Sequence, residues 1–418
     1  MPRILSLTRK LFMSLCLLGL VACNGTPQQT ASPSPTVTPE EAPATPTPVA
    51  ATNGTPQACQ MVESGFGPSG SVPVTAQEVV SGLEVPWGIV FLSNTDLLVS
   101  ERPGRIRLVR NGQLQPQPVA TVNVTATGEG GLLGMAAHPD FNNNRQFYIY
   151  YTRDRGASPV NRVERWQLSA DGTTATPDRV ILDDIPAARF HNGGRLRFGP
   201  DGMLYIGTGD AREVQLSQNP NSLAGKILRL TPDGEIPNDN PTPGSPVFIS
   251  GLRNTQGFDW FNETTIWVSD HGPSGDLGLR GMDQILVARP GDNLGWPEIY
   301  GCGDESGLVS AAISWVQAVP PGGAAVYRGN SIPEWQGSFI VGTLGSRHLH
   351  RFVFDEATGQ QLQSHEVYFQ GESPQGLGRI REVIMGPDNE LYITTSNCDG
   401  RGSCPSDGDK ILRIQRGS

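Results

Sequence analysis

Lysine is almost missing from this sequence. Only Lys10, Lys226 and Lys410 occur among 418 residues, and the formal net charge is −10. A chain without a basic tract and with a negative balance cannot neutralise a phosphate backbone, which excludes nucleic acid as a partner. Charged residues reach only 17%. Cysteine is sparse, six in all, and none falls in a CxxCH or CxxC arrangement. That excludes a covalently attached haem, and no His spacing supports a zinc site. No apolar run is long enough to span a bilayer comfortably as a helix; the N-terminal one covers residues 11–22. What the chain has in excess is turn formers, 51 Gly and 35 Pro. Such a composition favours a loop-rich all-β protein over a helical one.

The N-terminus reads as a targeting segment. Arg3, Arg9 and Lys10 precede the apolar run, which ends Leu20-Val21-Ala22-Cys23. This ending resembles the lipobox of bacterial lipoproteins. The resemblance implies that residues 1–22 are a signal peptide and that Cys23 becomes the lipidated first residue, an anchor in a membrane. The protein would then be exported and face the periplasm or the cell exterior. An ordinary secretory signal that contains Cys23 is the other reading. From there to residue 57 the chain is Pro, Thr, Ala, Ser and Gln with almost no large apolar side chain. Such a segment cannot bury a core and is expected to be a disordered tether, leaving 58–418 as the folded domain. Four cysteines remain in an oxidising compartment. Cys398 and Cys404 bracket a Gly-rich loop and are expected to pair, which leaves Cys59 with Cys302.

Within that domain one unit recurs: an apolar strand, a turn of Pro, Asp, Asn and Gly, and a second apolar strand. The clearest copies are Leu196-Arg-Phe-Gly-Pro-Asp-Gly-Met-Leu-Tyr-Ile206 and Val383-Ile-Met-Gly-Pro-Asp-Asn-Glu-Leu-Tyr-Ile393. Weaker ones lie at 88–99, 135–151, 257–268 and 335–341, and each copy is followed by a further strand-like run. Six copies of a small sheet predict a six-bladed β-propeller. The run 74–80 precedes the first copy and is expected to close the ring against the last blade.

The hairpins also gather chemistry. Asp201-Gly202 is a tight turn, and His191 and Asp210 lie nearly equidistant from it along the two strands, so they should meet at the open end. A His beside an Asp can be held in one tautomer as a general base. Around the next turn, Arg253 and Asn254 precede one strand, and Asp270 and His271 follow the other. In the last copy Arg379 and Arg381 are two apart and share a face. A His–Asp pair or two arginines alone would be ordinary structure. Gathered at one end of a propeller, they make an electropositive cup suited to a carboxylate-bearing ligand.

These residues stand in segments that resemble the soluble aldose sugar dehydrogenases of the glucose/sorbosone type. The segments are Gly128-Glu-Gly-Gly-Leu-Leu-Gly134, His138-Pro-Asp-Phe141, His191-Asn-Gly-Gly-Arg195, Gly207-Thr-Gly-Asp210, Gly251-Leu-Arg-Asn-Thr-Gln-Gly257, Asp270-His-Gly-Pro273, Gly291-Asp-Asn-Leu-Gly-Trp-Pro297 and Gly378-Arg-Ile-Arg381. The resemblance spans residues 78–415 and implies a propeller that uses pyrroloquinoline quinone (PQQ) and Ca2+. It implies that His191 takes the proton of the anomeric hydroxyl while hydride passes to C5 of the quinone. Asp210 would orient His191, and Arg253 would stabilise charge developing on the cofactor. Glu129, Asn254, His271, Arg379 and Arg381 would bind PQQ, and the carbonyls of Gly272 and Pro273 would hold the calcium ion. One departure stands out. Gly345 occupies the place where the family has a cofactor-binding lysine, and Arg347, two residues on, is the expected substitute.

The reading is therefore a PQQ- and calcium-dependent oxidation of an aldose to its lactone, with electrons passed to an external acceptor. Two others stay open: a propeller that binds a ligand or protein without catalysis, favoured by Gly345, and a calcium-dependent lactonase, which would want carboxylates rather than arginines around its metal. Loops 153–159 and 399–407 are expected to set substrate choice.

Overall fold

The computed structural model describes residues 58–156 and 158–417. The signal peptide, Cys23 and the tether expected from the sequence lie outside them. Six sheets make up the described chain, antiparallel but for one added strand in blade four. Blade one starts with Pro86–Phe91 and Asp96–Glu101, blade two with Leu132–Ala137 and Gln146–Arg153, and blade three with Arg195–Phe198 and Leu204–Gly207. Blade four starts with Thr255–Trp260 and Ile266–Asp270, blade five with Pro321–Val326 and Phe339–Thr343, and blade six with Ile380–Met385 and Leu391–Thr395. The six innermost strands pack side by side in chain order, and the sixth returns to the first, which closes a β-propeller.

The repeat has a local cause. In blade three the Asp201 carboxylate accepts the Met203 N–H (3.0 Å) and the Tyr205 hydroxyl (2.8 Å). In blade six Asp388 takes the Glu390 N–H (3.2 Å) and the Tyr392 hydroxyl (2.7 Å). One side chain thus fixes the turn and staples it to the returning strand. The apolar residues of each blade then face the next. Val90, Leu98 and Ile106 of blade one meet Leu132, Phe147 and Trp166 of blade two. Val80, Tyr392 and Ile411 of blade six meet Ile89, Leu97 and Val99 of blade one. The core is thus a ring of inter-blade layers.

Ring closure falls where the sequence placed it. Val74–Leu83 pairs antiparallel with Asp409–Arg416 as the outer strand of blade six. The strand Gln60–Val62 adds in parallel to Ile313–Trp315 of blade four. Both expected disulfides, Cys59–Cys302 and Cys398–Cys404, are formed. Blade five corrects the reading of its repeat. Residues 335–341 are not a hairpin: Trp335 ends a single 3-10 turn, Pro333–Trp335, in the connection between strands Pro321–Val326 and Phe339–Thr343. The true inner strand escaped notice because it is Pro-Gly-Gly-Ala-Ala-Val. A Cβ on Gly322 would lie 2.6 Å from the Ile380 carbonyl, so bulky residues are barred there and no apolar alternation shows.

Candidate active site

Sites on propellers are built from the strand ends that converge on the axis, and here each blade contributes. His191 and Asp210 meet because the two chain segments approach closely. A Cβ on Gly209 would lie 2.1 Å from the His191 carbonyl oxygen, so only glycine fits. His191 itself takes a left-handed φ of 61°. Its Nδ1 lies 2.7 Å from Asp210 Oδ1, and Asp210 is fully buried. The same oxygen accepts the Arg212 N–H (2.8 Å), and the other accepts the Trp296 indole N–H (2.9 Å). Hydrogen bonds to a charged partner contribute about 1.5–3 kcal/mol each, enough to lock the carboxylate in place. An acceptor at Nδ1 puts the ring proton there and leaves the lone pair on Nε2. That Nε2 accepts from an Arg253 guanidinium N–H at 2.9 Å.

Arg253 is held from two sides. Its Nε donates to Asp276 Oδ2 at 2.9 Å, and its backbone N–H donates to Asp270 at 2.8 Å. Asp270 also accepts the Asn254 N–H (2.8 Å), and burial pushes its pKa up to about 7. Asn254 Oδ1 accepts the Gly193 N–H (3.0 Å), which ties blade four to the loop that carries His191. His271 donates Nε2–H to the Pro321 carbonyl (2.7 Å), and burial pulls it down to about 3, so it is neutral near pH 7. Arg379 is clamped by Asp399 (2.7 Å) and the Leu344 carbonyl (3.1 Å). Arg381 donates to Gln256 Oε1 (2.8 Å) and lies over the Trp87 ring. Burial lowers Arg381 to about 10, which leaves it charged.

These side chains surround one cavity of about 370 Å3. Six arginines line it, 102, 212, 253, 379, 381 and 401, against the carboxylates of Glu129 and Asp399. Burial opposes ionisation of Glu129, but His271, Arg401 and the His191 N–H outweigh it and hold the carboxyl at about 2. Three buried guanidinium nitrogens of the lining, Arg102 Nε, Arg253 Nη1 and Arg381 Nε, have no hydrogen-bond partner. Buried donors of this kind call for an acceptor. A planar ligand with several carboxylates, as PQQ is, fits this donor set. Gly272 and Pro273 are buried, and among the described residues neither carbonyl accepts a hydrogen bond. Two such carbonyls suit a hard cation, although among the described residues no group of three or more His, Cys, Asp or Glu could hold a metal alone.

His191, Arg253, Asn254, His271, Arg379, Arg381 and Glu129 all line the cavity, and Asp210 supports it from behind. Arg347 does not. Its backbone turns left-handed (φ 55°) and its guanidinium pairs with Glu372 at 2.8 Å, outside the lining. Nor could a lysine simply stand at 345, since a Cβ there would lie 2.7 Å from the Pro320 ring. Loop 153–159 contributes no described lining residue; Arg153 and Arg155 pair instead with Asp183 and Asp184. Loop 399–407 contributes two, Asp399 and Arg401.

Sequence reasoning missed Asp276, Trp296, Trp87 and Arg195. Trp296 stands in the segment Gly291-Asp-Asn-Leu-Gly-Trp-Pro297, and its indole N–H donates to Asp210. Arg195, the last residue of His191-Asn-Gly-Gly-Arg195, is fully buried. It pairs with Glu382 of blade six and stacks on Trp87 of blade one at 4.5 Å, forming a floor under the cavity.

Comparison with known proteins agrees with this fold. The family profile for Glucose / Sorbosone dehydrogenase matches residues 83–413. Aldose sugar dehydrogenase YliI of Escherichia coli is 30% identical over 355 residues, covering 78% of this chain and 91% of its own. A crystal structure from Thermus thermophilus described as an oxidoreductase (glucose dehydrogenase) is 41% identical, with a TM-score of 0.73 over 82% of this chain and 99% of that one. The PQQ-bound aldose sugar dehydrogenase of Streptomyces coelicolor is 36% identical, with a TM-score of 0.73 over 83% of this chain and 99% of its own. With its six blades and its match along nearly the whole folded domain, the chain belongs to the glucose/sorbosone dehydrogenase family.

Proposed function

We propose that this protein oxidises a cyclic aldose at C1 to the lactone with PQQ and Ca2+, and passes the electrons to an external acceptor. The observation that carries the reading is His191, fixed by Asp210 at Nδ1 and met by Arg253 at Nε2, on the wall of an arginine-lined cavity. In this reading the anomeric hydroxyl displaces the Arg253 N–H from His191 Nε2, which takes its proton, and Asp210 stabilises the imidazolium that results. PQQ, when bound, supplies the quinone that accepts the hydride. Arg253, held by Asp276, presents its free Nη1 to charge that develops on the oxidant. Arg379, Arg381, Asn254 and His271 would hold the cofactor, and the Gly272 and Pro273 carbonyls would hold Ca2+. The PQQ-bound Streptomyces relative supports the choice of cofactor.

The test is calorimetric titration of PQQ into the calcium-loaded protein, followed by dye reduction with a panel of aldoses. Saturable binding with sugar-dependent reduction, abolished in His191→Ala, is the expected result. Absence of binding at high PQQ concentration would overturn the dehydrogenase reading in favour of a ligand-binding propeller, the reading that Gly345 and the diverted Arg347 favour.

We further propose export and lipid anchoring at Cys23, on the N-terminal segment and on the two disulfides, which suit an oxidising compartment. Cys23→Ser should move the protein from the membrane to the soluble fraction; an unchanged distribution would sink the anchor.

A further inference from the structure

The short loop closed by Cys398–Cys404 projects over the cavity from blade six. Asp399 within it clamps Arg379, and its other oxygen accepts the Arg401 N–H at 2.9 Å. Arg401 lines the cavity, passes over Phe190, and donates to Glu129 Oε1 at 3.0 Å, a contact between residues 272 apart in sequence. The second oxygen of that carboxylate, Glu129 Oε2, accepts the backbone N–H of His191 at 3.0 Å. His191 sits in the left-handed region, which a side-chain-bearing residue keeps only when its surroundings enforce it. Two hydrogen bonds hold its backbone: the N–H donates to Glu129 Oε2, and the carbonyl accepts the Ala211 N–H at 3.3 Å. The first depends on Glu129, whose other oxygen is held by Arg401.

We propose that Arg401 is a positioning residue for the base: it orients Glu129 so that the carboxylate holds the His191 backbone, and the disulfide keeps Arg401 in reach. This rests on His191 being the base. The chain of contacts crosses the rim of the cup and joins blade six to the loop entering blade three, which no covalent connection does. Losing it lets the His191 backbone relax and shifts Nε2 away from the sugar hydroxyl.

The experiment measures hydrogen–deuterium exchange of the His191 amide and steady-state kinetics on the full-length protein, for Arg401→Gln, Arg401→Lys and Cys398→Ser/Cys404→Ser. In Arg401→Gln the amide exchanges faster, by about tenfold or more, as local protection is lost. The kcat falls by roughly tenfold with KM for sugar little changed, since a small misplacement of a base costs rate rather than binding. Arg401→Lys retains most of both properties, and the double serine variant falls between. Arg189→Gln, which removes a charge from the same Phe190 ring without touching Glu129's side chain, changes neither. Unchanged exchange and unchanged kcat in Arg401→Gln would overturn the proposal while leaving the dehydrogenase reading intact. Lost protection in a protein that never reduces dye would sink the dehydrogenase reading and keep the Arg401–Glu129–His191 linkage.

Discussion

At the scale of single residues, the site depends on second partners more than on the residues that would touch substrate. Trp296 gives Asp210 one of its few hydrogen bonds, so Trp296→Phe removes a donor while keeping the ring volume. Leaving a buried carboxylate oxygen unpaired costs about 1–3 kcal/mol, and part of that should appear as a roughly tenfold loss of kcat with the protein still folded. Dye-reduction kinetics beside a thermal melt would separate the two effects. Arg347→Gln is expected to leave PQQ affinity unchanged by calorimetry, since its guanidinium is committed to Glu372. The contrast shows what the sequence could yield. His191 and Asp210 were legible because a hairpin counts residues for the reader: equal distance from a two-residue turn means proximity. Arg347 was misread because a left-handed backbone at that position turns its side chain aside, and neither periodicity nor spacing reports a sign change in φ. Asp276 opens a single 3-10 turn and Arg401 lies in a disulfide-closed loop, and in neither does sequence distance report geometry.

At the scale of elements, the blades are legible wherever an Asp-stapled turn separates strands of alternating large side chains, as at Asp201 and Asp388. Blade five was blurred because its inner strand had to be made of small residues against its neighbour. The disulfides differ in what they contribute. Cys59–Cys302 closes a separation of 243 residues and Cys398–Cys404 one of 6. Chain-entropy arithmetic gives roughly 5 kcal/mol for the first and roughly 2 for the second. Cys59→Ser/Cys302→Ser should therefore lower the melting temperature more than Cys398→Ser/Cys404→Ser, whereas the second pair should affect catalysis more. A larger melting shift from the short loop would contradict this ordering.

At the scale of the molecule, propeller topology was legible because six echoes of one unit admit few architectures, while pH response required the folded environment. Five histidines are held neutral by burial. His271 is pushed to about 3, His348 to about 4, His350 well below its ordinary value, and His138 and His365 downward as well. Between their lowered values and about 6.5 the unfolded chain takes up more protons than the folded one, so acidification destabilises. Four buried carboxyls act in the opposite sense: Asp270 raised to about 7, Asp283 to about 6, and Asp292 and Asp409 raised as well. These favour the folded state as pH falls towards 4. The imidazoles prevail between pH 6.5 and 5, so the melting temperature should fall on acidification through that window, and His350→Gln should flatten the fall. A melting temperature that rises towards pH 5 would show that the carboxyls dominate. Finally, the order in which the chain enters the ring determines how it bears load. Cys59 is bridged to blade four before the chain reaches Val74–Leu83, the strand that zips the ring shut. A pull on the chain ahead of residue 59 therefore has a covalent path into blade four that bypasses the seam between first and last strands.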